Sequence, residues 1–503
     1  MPEHDAIVVG SGVNGLACAA LLAKAGWDVC VLERNDWFGG AIKTAEITEP
    51  GFRHDVFSAW HPLWVGGPVH PQLADDLARH GLEYVNTDLP TATAFPDGSA
   101  GFLLRSAEAN AVELGPEWPA VLERFFPNAD LAFGILGAEL WGKQGAALGW
   151  KALRRLGRDG AHDFAGELLV SARDWLQSTF ASEKAHGVIA PWVLHTGLGP
   201  DAAASGYMAQ VIAVAVQEGG MPIPVGGGAK LADALVGCIR EWGGTCETGV
   251  HVERVFTGGV RAGGETIGAR RAVICNVTPT QLYGALLGGT PPPFRYGRSE
   301  MQIHFALSEP PRWDGDERLD RTAIVHLTPG LDGVSKAVNE AERGLLPEEA
   351  TVVVGQPLTI DPSRAPEGKG ILWIQLQELP WDVKGEGGWT DDLRERYADR
   401  IQARIARHVP NLESSILKRV ALGPHDLQSA NVNLVHGDPY GGSLALDQNF
   451  LWRAPHRTNV PGVWHVGAST HPGPGLGGGS GALVAQQLLE PPLTKRLAAR
   501  LRR

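Results

Sequence analysis

The amino-terminal end of the chain carries the pattern that most restricts its fold. Residues 5–10, DAIVVG, are apolar and β-branched, which predicts a buried parallel strand. Residues 15–25 are small and helix-prone, and residues 28–33, DVCVLE, predict a second apolar strand. A Gly-x-Gly-x-x-Gly spacing separates the first strand from the helix. A strand, a glycine turn, a helix and a second strand together predict a Rossmann-type α/β unit that binds a dinucleotide.

Each glycine of this spacing has a physical role in that unit. Gly10 permits the tight turn, Gly12 lets the backbone approach a pyrophosphate, and Gly15 lets the helix pack closely on the strand. The start of the helix offers free N–H groups and a partial positive charge to the phosphates. Glu33 follows Gly15 by 18 residues and ends the second strand, where a carboxylate can accept ribose hydroxyls.

Composition narrows the class of protein further. A length of 503 residues suggests about three domains. The 65 glycines and 35 prolines are about a fifth of the chain, which excludes a helical bundle, and there is no Gly-X-Y period of collagen. The net charge of −12 argues against nucleic acid as a partner, because phosphate binding needs a basic face.

Cysteine usage and hydropathy suggest where the protein resides. Five cysteines without a Cys-x-x-Cys pair predict neither a disulfide framework nor a metal site, and they suit a reducing cytosol. The chain has no apolar run long enough to span a membrane, and MPEHD does not resemble a signal peptide. We therefore expect a cytoplasmic protein. Its basic carboxyl end, with Lys495 and Arg496, is also compatible with peripheral contact at a membrane surface.

Glycine-rich segments at both ends of the chain carry a family resemblance. Gly39 and Gly40 follow the second strand, and residues 459–481 read NVPGVWHVGASTHPGPGLGGGSG. Residues 50–62, PGFRHDVFSAWHP, and 436–453, HGDPYGGSLALDQNFLWR, match the same family. The chain resembles the two-dinucleotide-binding-domain flavoproteins, in particular the phytoene desaturase-like FAD-dependent oxidoreductases and their branch containing pyridine nucleotide-disulphide oxidoreductase domain-containing protein 2.

Two features separate the chain from neighbouring groups of flavoproteins. Amine oxidases usually carry Arg directly after the glycine pair, and here that residue is Ala41. The sequence contains one full dinucleotide fingerprint and no close cysteine pair, which disfavours a disulfide reductase with separate FAD and NADPH domains.

The resemblance implies FAD as the cofactor and assigns its contacts at both ends of the chain. The Gly-x-Gly-x-x-Gly turn would hold the diphosphate, the segment after residue 250 would hold the adenine through backbone, and the carboxyl-terminal glycine loop would face the flavin. The residues expected to contact FAD are Gly10, Gly12, Val13, Asn14, Gly15, Glu33, Arg34, Gly39, Gly40, Val252, Gly467, Ala468, Gly475, Leu476, Gly477 and Gly478.

The resemblance also implies how the chain divides into domains. A Rossmann-type FAD-binding domain would be assembled from residues 1–70, 220–290 and 420–503. A mixed substrate domain, an antiparallel sheet plus helices, would comprise residues 71–219 and 291–419. The fold class is therefore α/β with the two domains interleaved along the chain.

Histidines in the motifs near the flavin are the candidate catalytic groups, because imidazole titrates near neutral pH. His61 follows a segment expected to end near the flavin, where it would act as a base or as a hydrogen-bond donor to the substrate. His471 lies in the glycine loop, where it is either a catalytic group or a structural donor that fixes the loop. No metal-ligand cluster stands out in the sequence.

The activity implied by the resemblance is hydride transfer from a C–H or C–N bond of an apolar small molecule to flavin N5, which forms a double bond. The electrons would pass to oxygen, a quinone or another acceptor. Two alternatives stay open: a redox-neutral FAD-dependent isomerase, and a non-catalytic binding protein of the GDP-dissociation-inhibitor type. The sequence does not indicate the oligomeric state.

Overall fold

The structure is a computed structural model and describes residues 2–490. The basic carboxyl end, for which membrane contact is predicted, lies outside the described residues. The strands of the described part are β1 (Glu3–Val9), β2 (Val29–Leu32), β3 (Thr44–Ala45), β4 (His54–Asp55), β5 (Tyr84–Val85), β6 (Thr91–Ala94), β7 (Ala100–Leu103), β8 (Ile223–Pro224), β9 (Thr245–Glu247), β10 (Val252–Phe256), β11 (Gly259–Ala262), β12 (Glu265–Asn276), β13 (Ser299–Leu307), β14 (Ile324–Leu327), β15 (Val352–Gly355), β16 (Gly370–Leu379), β17 (Ile416–Leu422) and β18 (Val463–Val466).

Helices fill the segments between these strands. They are α1 (Val13–Lys24), α2 (Pro62–Val65), α3 (His70–Arg79), α4 (Ala107–Glu113), α5 (Trp118–Phe125), α6 (Ala129–Gly137), α7 (Lys143–Glu167), α8 (Ala172–Thr179), α9 (Glu183–Leu194), α10 (Ser205–Gly219), α11 (Ala229–Glu241), α12 (Leu331–Glu342), α13 (Asp391–Ala406), α14 (Leu412–Ser415), α15 (Pro424–Ala430) and α16 (Gly479–Leu489). In residues 2–490, none of them is long and apolar enough to cross a membrane.

The first sheet is the predicted Rossmann-type unit, extended by later strands. Its order is β10-β11-β12-β1-β2-β9, and β18 pairs in parallel with β12. β1 lies parallel to both β2 and β12, and every residue of β2 is buried, as expected for a parallel sheet covered on both faces. The predicted strand–helix–strand order at the amino terminus is confirmed.

The two ends of the described chain meet on this sheet. α16 packs against α1, and a Cβ placed on Gly481 would overlap the backbone of Asn14. The backbone N–H of Gly481 donates to Asn14 Oδ1 at 3.4 Å. Close packing of two helices at a glycine brings the carboxyl-terminal glycine loop next to the amino-terminal glycine turn.

The second sheet has the order β17-β13-β16-β15-β14-β6-β7 and is antiparallel except for the β14–β6 pair. β13 and β16 are neighbours in this sheet, and their register places Gln302 opposite Gln375. The helices from α4 to α10 form the predicted helical part of this region. The mixed α/β fold is confirmed, while the division of the chain into the five segments given above stays a prediction.

A buried ion cluster joins three segments that are far apart in the sequence: β4, β8 and the turn that contains Asp361 and Arg364. The Arg364 guanidinium donates to Asp55 Oδ2 and to Asp361 Oδ2, both at 2.7 Å, and to the backbone oxygen of Pro224 at 3.1 Å. Asp55 Oδ1 also accepts the backbone N–H of Gly228 at 2.8 Å. The Arg364 side chain has no exposed surface. These contacts fix β4 against the start of α11.

Candidate active site

A cavity of about 440 Å³ lies between the two sheets. One end is formed by the β1–α1 turn around Gly12, and the other reaches Trp192 of α9 and the face of β16 around Gln375. Its volume lies within the range of small-molecule sites. Among residues 2–490, no group of three or more His, Cys, Asp or Glu side chains is arranged to hold a metal ion.

Most of the predicted FAD contacts line this cavity. They are Gly10, Gly12, Val13, Asn14, Glu33, Arg34, Gly39, Gly40, Val252, Gly467, Ala468, Gly475 and Leu476. Gly15, Gly477 and Gly478 are not among the lining residues. A Cβ on Gly15 would lie 2.7 Å from the Gly10 backbone oxygen, so this glycine packs behind the turn. The residues at both ends of the chain are therefore brought to one cavity.

The β1–α1 turn has room for backbone only. Gly10 has φ +88°, and a Cβ there would lie 2.9 Å from the Asn276 backbone oxygen. A Cβ on Gly12 would overlap the amide nitrogen of the Asn276 side chain, and Gly40 approaches Gly12 so closely that its Cβ would lie 3.1 Å from the Gly12 Cα. This backbone-lined cradle at the start of α1 fits the diphosphate of a dinucleotide.

Glu33 is held at the end of β2 by three hydrogen bonds. Its Oε2 accepts the backbone N–H of Ser11 at 2.8 Å and the Ser11 hydroxyl at 2.7 Å. Its Oε1 accepts the backbone N–H of Asn35 at 2.9 Å. The carboxylate is thus fixed beside the glycine turn, in the position from which the Rossmann pattern recognises a ribose.

A buried arginine that was not predicted from the sequence supports the carboxyl-terminal loop. Arg453 donates to the backbone oxygens of Ala468 at 2.6 Å and Tyr440 at 2.8 Å. The Ser480 hydroxyl accepts the backbone N–H of Gly467 at 3.1 Å. Arg453 is the last residue of the 436–453 motif, and a charged residue ending a loop-rich segment is the signal that could have identified it.

His61 lines the cavity and is fully buried. It precedes α2, and its Nδ1 lies 3.0 Å from the Tyr84 hydroxyl. Its Nε2 has no hydrogen-bond partner. Burial lowers the pKa of His61 to about 4, and the positive charge of Arg364 contributes in the same direction while Asp55 opposes it. The imidazole is therefore neutral at pH 7.

His471 is placed differently from His61. It is buried, but it is not among the residues that line the cavity. Its backbone oxygen lies 2.9 Å from His456 Nε2, and burial lowers the pKa of its ring to about 4. The structure therefore brings one of the two predicted catalytic histidines to the cavity wall, and the catalytic role of each stays a prediction.

The cavity has an apolar wall and a polar wall near its far end. Trp60, Trp192, Ile324 and Trp373 contribute apolar surface. The polar wall, which we call the polar cluster, consists of Glu300, Gln302, Gln375, Gln377 and Tyr440. This cluster was not predicted from the sequence. Alternating polar residues in two apolar strands were its signal, but alternation alone normally indicates a solvent-facing side.

Glu300 gives the polar cluster a testable dependence on pH. Burial raises the pKa of Glu300 to about 8, so the folded protein holds a proton there that the unfolded chain releases above pH 4.5. Its contribution to stability is complete below pH 4.5 and is lost as the pH rises through 8. Glu300→Gln cannot ionise. We expect the difference in melting temperature, variant minus wild type, to increase by about 2 °C from pH 5 to pH 8.

Thermal unfolding across that pH range at constant ionic strength measures this effect. Glu265→Gln, at an exposed glutamate of β12, is the control and should give a curve parallel to the wild type. A Glu300→Gln curve that also stays parallel would show that Glu300 is ionised in the folded protein.

The chain is similar to several known proteins. Residues 8–77 match the family described as NAD(P)-binding Rossmann-like domain. The chain is 25% identical to pyridine nucleotide-disulfide oxidoreductase domain-containing protein 2 of Mus musculus, covering 96% of this chain and 93% of the relative. It is 26% identical to a lycopene-forming phytoene desaturase of Paracoccus sp., covering 96% of this chain and 97% of the relative. Both similarities extend over nearly the whole length.

Among solved structures, cyclohexylamine oxidase from Brevibacterium oxydans superposes with a TM-score of 0.59 at 16% identity, over 97% of this chain and all of that one. At this identity the likeness supports the fold alone. Together, these similarities identify an enzyme, an oxidoreductase with a Rossmann-type dinucleotide-binding unit. The chain is an FAD-dependent oxidoreductase that is similar over nearly its whole length to a phytoene desaturase, and FAD is its cofactor.

Proposed function

We propose that this enzyme dehydrogenates a small molecule with a largely apolar body at a C–H or C–N bond, forming a double bond. The observation that carries the proposal is one continuous cavity, with the glycine cradle at one end and the aromatic and polar walls at the other. FAD, when bound, supplies a hydride acceptor for such a reaction. An oxidoreductase of this kind takes a small-molecule substrate and passes its electrons to an acceptor, for which oxygen and a quinone are the first candidates.

The residues at the cradle end would bind the cofactor. The backbone N–H groups at the start of α1 would hold the diphosphate, and the fixed carboxylate of Glu33 would accept ribose hydroxyls. Backbone at Val252 would hold the adenine, and backbone at Gly467 and Ala468 would hold the flavin end. Gly477 and Gly478 would act by close packing behind the lining loop.

The opposite end of the cavity would exclude water and orient the substrate. Trp60 and Trp373 pack edge to face with ring centroids 5.3 Å apart, and the Trp373 indole N–H donates to the Phe57 backbone oxygen at 2.9 Å. A wall held in this way keeps its shape when a ligand is absent, so less ordering is required on binding. His61, neutral and with a free Nε2, would hydrogen-bond the reacting end of the substrate.

Anaerobic mixing of the FAD-loaded enzyme with matched probes tests the proposal. Benzylamine has transferable hydrogens on the carbon bonded to nitrogen, and limonene has them on carbons bonded only to other carbons. Cumylamine has the same ring and nitrogen but lacks a hydrogen on the carbon bearing nitrogen. Dehydrogenation is supported if limonene bleaches the flavin, or if benzylamine bleaches it and cumylamine does not. Bleaching by cumylamine contradicts dehydrogenation. A product equal in mass to the substrate would indicate the redox-neutral isomerase instead.

The contribution of His61 can be measured in the same experiment. We expect His61→Asn to slow flavin reduction about tenfold, the loss of one hydrogen bond in the transition state, with FAD content unchanged. The rate is measured with whichever probe bleaches the wild-type flavin. A rise in KM with unchanged kcat would instead mean that His61 binds the ground state and the transition state equally.

A further inference from the structure

The polar cluster forms a buried surface on the second sheet, facing the cavity. Glu300 and Gln302 lie on β13, Gln375 and Gln377 lie on the neighbouring β16, and Tyr440 comes from the loop after α15. Glu300, Gln302 and Gln377 are no more than 3% exposed. Buried polar groups are normally paired, because an unmet hydrogen bond costs free energy.

The hydrogen bonds within the cluster fix the orientation of its amides. The Tyr440 hydroxyl donates to the Leu194 backbone oxygen at 2.8 Å and accepts the Gln377 Nε2 at 2.7 Å. The Gln375 Nε2 donates to Glu300 Oε1 at 2.8 Å. Since the hydroxyl proton of Tyr440 is already used, the amide N–H of Gln377 must point to the tyrosine and its oxygen must point away.

Two acceptors are left without a partner. Gln302 Oε1 and Gln377 Oε1 are both buried and have no hydrogen bond within the described residues. Both residues line the cavity, as does Glu300, whose carboxyl group accepts the Gln375 amide. The cluster therefore offers two acceptor oxygens without a partner, beside the buried and ionisable carboxyl group of Glu300.

We propose that the end of the substrate seated against the polar cluster is an amine, a nitrogen with at least two N–H donors. Two amide oxygens require two donor hydrogens, whereas a hydroxyl supplies one. A carboxylate would add acceptors beside Glu300, and a hydrocarbon would leave both oxygens unpaired. An ammonium fits best, since Glu300 can release its proton and neutralise the charge.

The cluster lies beside the loop assigned to the flavin end. A Cβ on Gly441, the residue after Tyr440, would lie 2.8 Å from the Ala468 Cβ. The Ser469 hydroxyl donates to the Gly441 backbone oxygen at 2.7 Å. The amine is therefore recognised near the reacting centre, so this inference rests on the proposed function and specifies its substrate class.

Binding of three probes with equal numbers of heavy atoms tests the inference. Benzylamine, benzyl alcohol and ethylbenzene are titrated into the FAD-loaded enzyme under anaerobic conditions, and dissociation constants are read from perturbation of the flavin spectrum and from the shift in melting temperature. We expect benzylamine to bind at least about tenfold more tightly than ethylbenzene, with benzyl alcohol between them. Equal binding of amine and alcohol, equal binding of amine and hydrocarbon, or no binding of the amine at millimolar concentration overturns the proposal.

Two variants that keep side-chain length locate the effect. Gln302→Met and Gln377→Met remove one acceptor each and should reduce the preference for benzylamine over ethylbenzene about tenfold when combined. Ile324→Val, on the apolar wall, is the control and should weaken both probes alike. FAD content and melting temperature verify that the variants fold. A preference that survives the double variant overturns the proposal.

The binding readout keeps this inference separate from the proposed function. If benzylamine binds selectively but no probe reduces the flavin, dehydrogenation is contradicted while recognition of an amine stands. If a hydrocarbon reduces the flavin and the amine has no advantage, the proposed function stands and the substrate class is wrong.

Discussion

Gly12→Val should purify as a protein without FAD. A Cβ at this position overlaps the Asn276 side-chain amide, and the added methyl groups would fill the turn between Gly12 and Gly40. The backbone of this turn and the start of α1 form the cradle that fits a diphosphate. Losing that approach should weaken FAD binding at least about 100-fold, which corresponds to roughly 3 kcal/mol. The flavin released from denatured protein, divided by protein concentration, measures the outcome.

Two further variants separate exclusion of FAD from general damage. Gly149→Val lies on α7, where an added Cβ meets nothing within 4 Å, and should retain the full FAD content. Adding Asn276→Ala to Gly12→Val removes the steric overlap but leaves the turn filled, so FAD should not return. Wild-type FAD affinity in Gly12→Val would show that the β1–α1 turn does not bind the cofactor.

The amino-terminal unit was predictable because its determinants are local. The turn at Gly10, the close approach at Gly12 and the carboxylate of Glu33 are specified within one strand–helix–strand unit, and each has a fixed spacing. The carboxyl-terminal glycine loop was predictable for a different reason, namely its resemblance to a known family. The parts of the fold that these motifs build are those that the sequence identified correctly.

The polar cluster could not be predicted from the same reasoning. Gln302 and Gln375 are 73 residues apart in the sequence, and only the antiparallel pairing of β13 with β16 brings them together. Their alternation with apolar neighbours is typical of a sheet with one face in water. The resemblance to the family is weakest over residues 130–215 and 285–350, which contain α9 and β13. The contact of α9 with the polar cluster through Tyr440 was therefore outside the reach of the sequence.

The two histidines show a similar limit. His61 and His471 both lie in family motifs, and sequence spacing gives no measure of which ring faces the substrate. The structure separates them because His61 lines the cavity, whereas His471 is buried outside the set of lining residues. Side-chain direction depends on the packing of distant segments, which a motif does not encode.

Arg364→Leu should destabilise the protein by about 3–5 kcal/mol, the cost of removing one partner from a buried ion pair. The substitution leaves the carboxylates of Asp55 and Asp361 buried without their shared cation. Both carboxylates also accept a backbone hydrogen bond: Asp55 from the Gly228 N–H, and Asp361 from the Gly226 N–H at 2.7 Å. Denaturant unfolding of the FAD-loaded protein measures the loss.

The origin of that cost is tested by changing the charges around Arg364. Arg364→Lys keeps the positive charge but cannot bond both carboxylates and the Pro224 oxygen in one plane, so it should recover only part of the stability. Adding Asp361→Asn to Arg364→Leu removes one of the two unpaired charges and should restore stability relative to the single variant. The double variant has less repulsion between buried carboxylates than Arg364→Leu. If it is nevertheless less stable than Arg364→Leu, unpaired charge is not the cause of the cost, and lost packing around the guanidinium is.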